Sequence, residues 1–114
     1  MQPEVANLLH DILDAGESIQ ELTAGLSFVE FQQSEAVYLA VERQFITVGE
    51  ALNVASHKHP TLLNSITKAR AIVDFRNILV HRYSIISVDR LWKTIHEDLP
   101  RLLAEVRALL PAAP

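Results

Sequence analysis

Glu35-Ala-Val-Tyr-Leu-Ala-Val-Glu-Arg-Gln-Phe-Ile-Thr-Val-Gly-Glu-Ala-Leu52 is the stretch that decides the fold class. Its apolar residues Val37, Val41, Phe45, Val48 and Leu52 are spaced four, four, three and four. A helix turns once in roughly 3.6 residues, so this spacing lines them along one face. Glu35, Glu42, Arg43 and Glu50 fall outside the stripe. A half-buried strand would alternate with period two, and no part of the chain sustains that alternation.

Working back from Glu35, Ser34 is a candidate cap for this long helix. Ser27-Phe-Val-Glu30 has the spacing of a capping box, which predicts a short helical turn. Val5, Leu8, Leu9, Ile12, Leu13, Ile19 and Leu22 mark a first helix, weakened by Gly16 and ended by Gly25. Working forward, His57-Lys-His-Pro60 breaks the long helix, and Thr61 can cap the next one. That helix carries the stripe Ile66, Ala69, Val73, Arg76 and Val80, whose fourth member is a cation. An arginine on an apolar seam is costly to bury unless it is paired or faces a partner or a cleft. Tyr83–Val88 reads as a turn with some strand propensity. Ser87 or Asp89 caps a last helix from Leu91 to about Leu110. Its stripe is Leu91, Ile95, Leu99, Leu102, Val106 and Leu109, and Pro100 should kink or restart it. The expectation is an all-α, antiparallel, up-and-down four-helix bundle with a short extra turn, one domain over residues 1–114.

The chain has 114 residues and no cysteine. That length excludes a TIM barrel or a two-domain enzyme. The missing cysteines exclude a disulfide framework, a zinc-thiolate site and a cysteine nucleophile. An apolar share of 49% and a mean hydropathy of +0.16 exclude a disordered chain. They are also high for so small a soluble domain, which points to a partner surface. The net charge of −4 argues against a generic nucleic-acid coat. Yet Lys68, Arg70, Arg76, Arg82, Arg90 and Lys93 crowd one window against only Asp74 and Asp89. Such a window suits a local anion site, or simply solvated helix faces. The first basic residue is Arg43, so a secretory signal would lack its charged start. The longest stretch without Asp, Glu, Lys or Arg is His59–Thr67, far short of the roughly 20 residues of a membrane span. A cytoplasmic, membrane-free protein is expected.

Several familiar constellations fail. Ser65-Ile-Thr-Lys68 has the spacing of serine acylases but neither their further motifs nor their size. His57 and His59 need distant help to hold a metal, and His10 and His96 have no ligand pattern around them. No glycine loop for phosphate is present. No cofactor or metal is expected.

Asp74-Phe-Arg76-Asn77-Ile-Leu-Val-His81-Arg82-Tyr83 remains. A guanidinium stays cationic and can fork onto a phosphate, which suits Arg76. An imidazole can take or give a proton near neutrality, which suits His81. Asn77 lies four residues before His81 on a shared face and could fix the imidazole. Arg76 and His81 are five apart, so they diverge by about 140° on a straight helix. They converge only if the helix ends near Val80 or a second copy contributes. This trio suits metal-free RNA cleavage: a base takes the 2′-hydroxyl proton, the oxygen attacks the phosphate, and a cation stabilises the charge. The plainer alternative is a buried Arg70–Asp74 pair and a helix-end histidine held by the dipole.

The ordered set Arg76, Asn77, three residues, His81, one residue, Tyr83 resembles the signature of the HEPN superfamily, and Tyr83 makes it similar to the HepT toxin branch. Gly25-Leu-Ser-Phe-Val-Glu-Phe31, Val41–Ala51, Leu91-Trp92 and Glu97-Asp-Leu-Pro-Arg-Leu102 resemble other parts of that branch, so the likeness covers nearly the whole chain. Ser84-Ile-Ile-Ser-Val88 departs from it, because members often carry Gly and then Val-Asp after the tyrosine. The resemblance implies a homodimer with Arg76 and His81 of both protomers around a composite cleft. It implies a metal-independent RNA endonuclease, the toxin of a type II toxin–antitoxin pair. Its partner would be an MntA-type nucleotidyltransferase antitoxin that AMPylates Tyr83. Lys68, Arg70 and Arg82 would be further RNA contacts. The competing expectation is an inactive HEPN module whose motif only docks the nucleotidyltransferase.

Overall fold

The computed structural model describes residues 1–81 and 87–111, and every regular element in it is helical. The turn expected at Tyr83–Val88 lies largely outside the described residues.

Helix α1 (Pro3–Thr23) has a proline in its first turn, where the missing N–H costs nothing. It buries Leu9, Ile12, Leu13 and Ile19, with Val5, Leu8 and Leu22 packed at the rim. Gly25 adopts φ 76°, the left-handed conformation that lets the chain turn away. Helix α2 (Phe28–Gln33) is the short turn expected from the capping box. Ser27 Oγ accepts from the Glu30 amide at 3.1 Å, and Glu30 Oε1 accepts from the Ser27 amide at 2.9 Å. The Ser27 backbone amide, then its hydroxyl, hold the Glu30 carboxyl below its ordinary pKa. A depressed folded pKa stabilises above the ordinary carboxylate range, and the benefit fades as pH falls through the lowered value. Glu30→Gln should therefore lower the melting temperature at neutral pH and leave it unchanged in strong acid. An equal gap at both would show that the charge plays no part.

Helix α3 (Glu35–Lys58) is the long helix expected. Ser34 precedes it but does not cap it, because its hydroxyl donates back to the Glu30 carbonyl at 2.8 Å. Val41, Phe45, Val48 and Leu52 are buried as expected. The buried arc is wider than that stripe, since α3 packs on α1 along one flank and on α4 along the other. Glu42, expected outside the stripe, is only 6% exposed for that reason.

The helix expected from Thr61 is split. A 3₁₀ turn (Pro60–Ser65) follows α3, and α4 (Ala69–His81) begins only at Ala69. The Thr67 amide and hydroxyl both donate to the Glu105 carboxylate, the hydroxyl at 2.7 Å. That carboxylate arrives from the far end of the chain and pins the segment just ahead of α4. The seam of α4 is also shifted: Leu79 is fully buried, while Val80 is exposed.

The last expected helix forms as α5 (Val88–Lys93), a π-helical turn (Thr94–Asp98) and α6 (Leu99–Leu109). The wide turn sits directly before Pro100. A proline cannot donate to the carbonyl four residues back and its ring crowds it, so the ladder reorganises there. Ser87 holds the N-cap position without a side-chain cap bond. Trp92 meets Phe31 at 5.2 Å and Phe28 at 5.9 Å between ring centroids, tying α5 to α2. Among the described residues no helix is long and apolar enough to cross a membrane.

Candidate active site

Helix α4 carries Arg70, Arg76, Asn77 and His81 of the expected site residues, and its faces divide them. Ala69, Ile72, Val73, Phe75 and Leu79 are buried. Arg70, Asp74 and His81 are exposed and Asn77 is half-buried. Spaced four, three and four, these polar residues form one outward stripe. The alternative of a buried Arg70–Asp74 pair is therefore excluded.

Arg76 stands between the faces, with its side chain 24% exposed. Its stem lies across Gly49 of α3, where there is no side chain to obstruct it. Its Nη1 donates to Asn77 Oδ1 at 2.9 Å, and Nη2 is 3.6 Å from Glu50 Oε1. Its Nε is buried without a hydrogen-bond partner. Asn77, the expected support of His81, accepts from Arg76 through its carbonyl oxygen. Around the helix Asn77 lies about 100° from Arg76 and about 40° from His81, so it is intermediate between them.

His81 is the last residue of α4 and is exposed. Because the helix is regular to that point, Arg76 and His81 of one chain point apart. Lys68 and Arg70 are exposed near the start of α4. Arg70 is about 16 Å from His81 along the axis and Lys68 about 20 Å, so neither shares the immediate site. Arg82 and Tyr83 lie outside the described residues.

The other candidates have ordinary roles. His57 Nδ1 is 2.9 Å from the Asn53 carbonyl, and His59 Nε2 is 3.5 Å from Glu4 Oε2. His96 packs on Trp92. Among the described residues no three His, Asp or Glu side chains converge as a metal site would require.

Three features escaped sequence reasoning. One is the seat at Gly49, signalled only by a glycine inside a helix. Another is the buried Glu42. The third is a groove of about 490 Å³ between α4 and α5, lined by Ile72, Phe75, Arg90, Lys93 and Asp98 among others. There the Arg90 guanidinium lies 5.2 Å from the Phe75 ring centre, a cation–π distance.

A small helical chain with an arginine and a histidine five residues apart at the end of one helix defines a class that comparison with known proteins identifies. The family described as Ribonuclease HepT-like matches residues 12–109. The chain belongs to this HepT-like family of HEPN proteins. It is 30% identical to a candidate RNase of Methanocaldococcus jannaschii, over 90% of this chain and 94% of that one. It is 32% identical to a probable ribonuclease HepT of Thermococcus cleftensis, over 89% and 91%. It is 28% identical to a candidate RNase of Caldanaerobacter subterraneus, over 90% of each. No solved structure matches the chain significantly.

Proposed function

We propose that this protein is an RNA endonuclease and the toxin of a HepT-type toxin–antitoxin pair. The observation that carries this reading is the half-buried Arg76, its Nε unpartnered, little more than a helical turn from an exposed His81. Membership in the HepT-like family supports it.

Arg76 would fork onto the scissile phosphate. Its pair with Glu50 is long and half in solvent, so a phosphate can displace it at little cost. One imidazole would take the proton of the ribose 2′-hydroxyl. That oxygen attacks the neighbouring phosphorus, the bond to the 5′-oxygen breaks, and a proton is delivered to the leaving oxygen. Arg76 stabilises the charge that builds on the phosphate meanwhile. His81 would be the base or the acid. No step requires a metal.

The divergence of Arg76 and His81 on α4 supports a homodimer. Two up-and-down bundles would meet so that the arginine of one lies near the histidine of the other. The pairing would also cover part of the chain's apolar surplus. Control would come from a nucleotidyltransferase antitoxin that transfers AMP to Tyr83, two residues after His81. The added bulk and negative charge would block an RNA phosphate from the site. Lys68, Arg70 and Arg82 would track the RNA backbone further out.

The test is cleavage of bulk and transfer RNA, with chelator present, by the wild type and by His81→Ala. The wild type should cleave and the variant should be slower by about 10²–10⁴-fold. If both preparations cleave alike, the activity is a contaminant and the assignment falls. In a parallel arm, the antitoxin with ATP should silence the wild type and add the mass of AMP at Tyr83.

A further inference from the structure

We infer that Gly49 is the positioning residue for Arg76: by carrying no side chain it seats the arginine stem and fixes where the guanidinium emerges. This rests on Arg76 acting on the phosphate.

A Cβ built on Gly49 would run into Arg76 Cβ and lie 2.6 Å from its Cγ. The Cβ is fixed by the α4 backbone, so no rotation of the side chain relieves that clash. Gly49 is itself buried in α3, with Ile72 of α4 also against it. The helices therefore approach closely here, and the residue that meets Gly49 is Arg76. From this seat the terminal nitrogens reach Asn77 on α4 and Glu50 on α3. The seat also explains how an arginine occupies an apolar seam. Its aliphatic stem fills the space a larger residue at 49 would take, and its head comes out at the edge.

Gly16 supplies the control. A Cβ there would lie 2.5 Å from Leu103 Cδ2, the far end of a flexible side chain on α6. Both glycines are close helix contacts, but only Gly49 bears on Arg76. An alanine at 49 must push the stem outward or part the helices. A misplacement of about 1 Å at a reacting centre can cost about 10²-fold in rate.

The experiment compares wild type, Gly49→Ala, Gly16→Ala and Arg76→Ala in RNA cleavage per folded molecule. Gly49→Ala should lose about 10–100-fold in kcat with KM within about twofold, and Gly16→Ala should keep the wild-type rate. If Arg76→Ala is inactive while Gly49→Ala matches Gly16→Ala, positioning by Gly49 is overturned and the reading of Arg76 stands. If Arg76→Ala cleaves like the wild type, it is the reading of Arg76 that falls. A stability cycle tests the seat even without activity. Arg76→Gly removes the Cβ and Cγ that the alanine strikes, so it should restore the melting temperature, or the folding, that Gly49→Ala loses. An equal loss in both backgrounds would overturn the seat.

Discussion

Arg76→Met should reduce RNA cleavage by about 10²–10³-fold, the usual consequence of removing one donor from a developing oxyanion. It should do so while leaving the fold as stable as before, or more stable by up to about 2 kcal/mol. The two halves follow from the same geometry. Arg76 keeps a charge half-buried and leaves its Nε without an acceptor, both of which burden the fold. Methionine retains the stem that fills the space over Gly49 and discards the burden. Glu50, its side chain 56% exposed, is left hydrated rather than stranded. Measured together, cleavage and chemical denaturation separate a residue kept for function from one kept for structure. Stability lower by more than about 2 kcal/mol, in the range of broken buried networks, would mean that Arg76 serves the fold.

Phe45→Ala should have the opposite profile. Phe45 is 1% exposed, and its ring meets Phe75 edge-on with centroids 5.4 Å apart. It joins α3 to α4, the helix that carries the candidate residues Arg76 and His81. Phenylalanine-to-alanine substitutions in cores cost about 3–5 kcal/mol through lost transfer energy and the cavity left behind. Against a total of about 5–15 kcal/mol, that is much of the stability of a small domain. The denaturation midpoint should fall sharply with little change in slope. Below the midpoint, whatever fraction stays folded should still cleave RNA, since no group of the site is removed. A cost under about 1 kcal/mol would show that the core closes around the cavity easily, contrary to close packing at this helix pair.

The features legible in the sequence were those set by neighbours in the chain. The capping box at Ser27 and Glu30, the φ 76° turn at Gly25 and the stripe of α3 all depend on residues a few positions apart. The features misread depend on distant partners. The break before Ala69 is held by Glu105, 38 residues from Thr67. Glu42 is buried because α3 has neighbours on two sides, and spacing reveals the middle of a buried arc but not its width. Leu79 and Val80 both fit a seam of three and four, and only the packing of the folded chain, which buries Leu79, decides between them. The candidate site was legible only as residue types in order. Arg76 was visible as a misfit, but its explanation lies in Gly49 on another helix. Asn77 shares a face with His81 yet accepts from Arg76, because a helix face does not say which of two adjacent groups a short amide will reach.

The wide turn at Thr94–Asp98 closes with a bond from the Leu99 amide to the Thr94 carbonyl, five residues back. In effect one extra residue is threaded into a continuous rod. That shifts the phase of everything after it by about 100°. The rod can then present Leu91 and Trp92 to α2 and α3, and turn Leu102, Leu103 and Val106 toward α1. A straight helix of the same sequence would serve one neighbour well and the other badly. Pro100 thus works less as a breaker than as a gearing device, letting a single C-terminal rod mesh with two different walls of the protein.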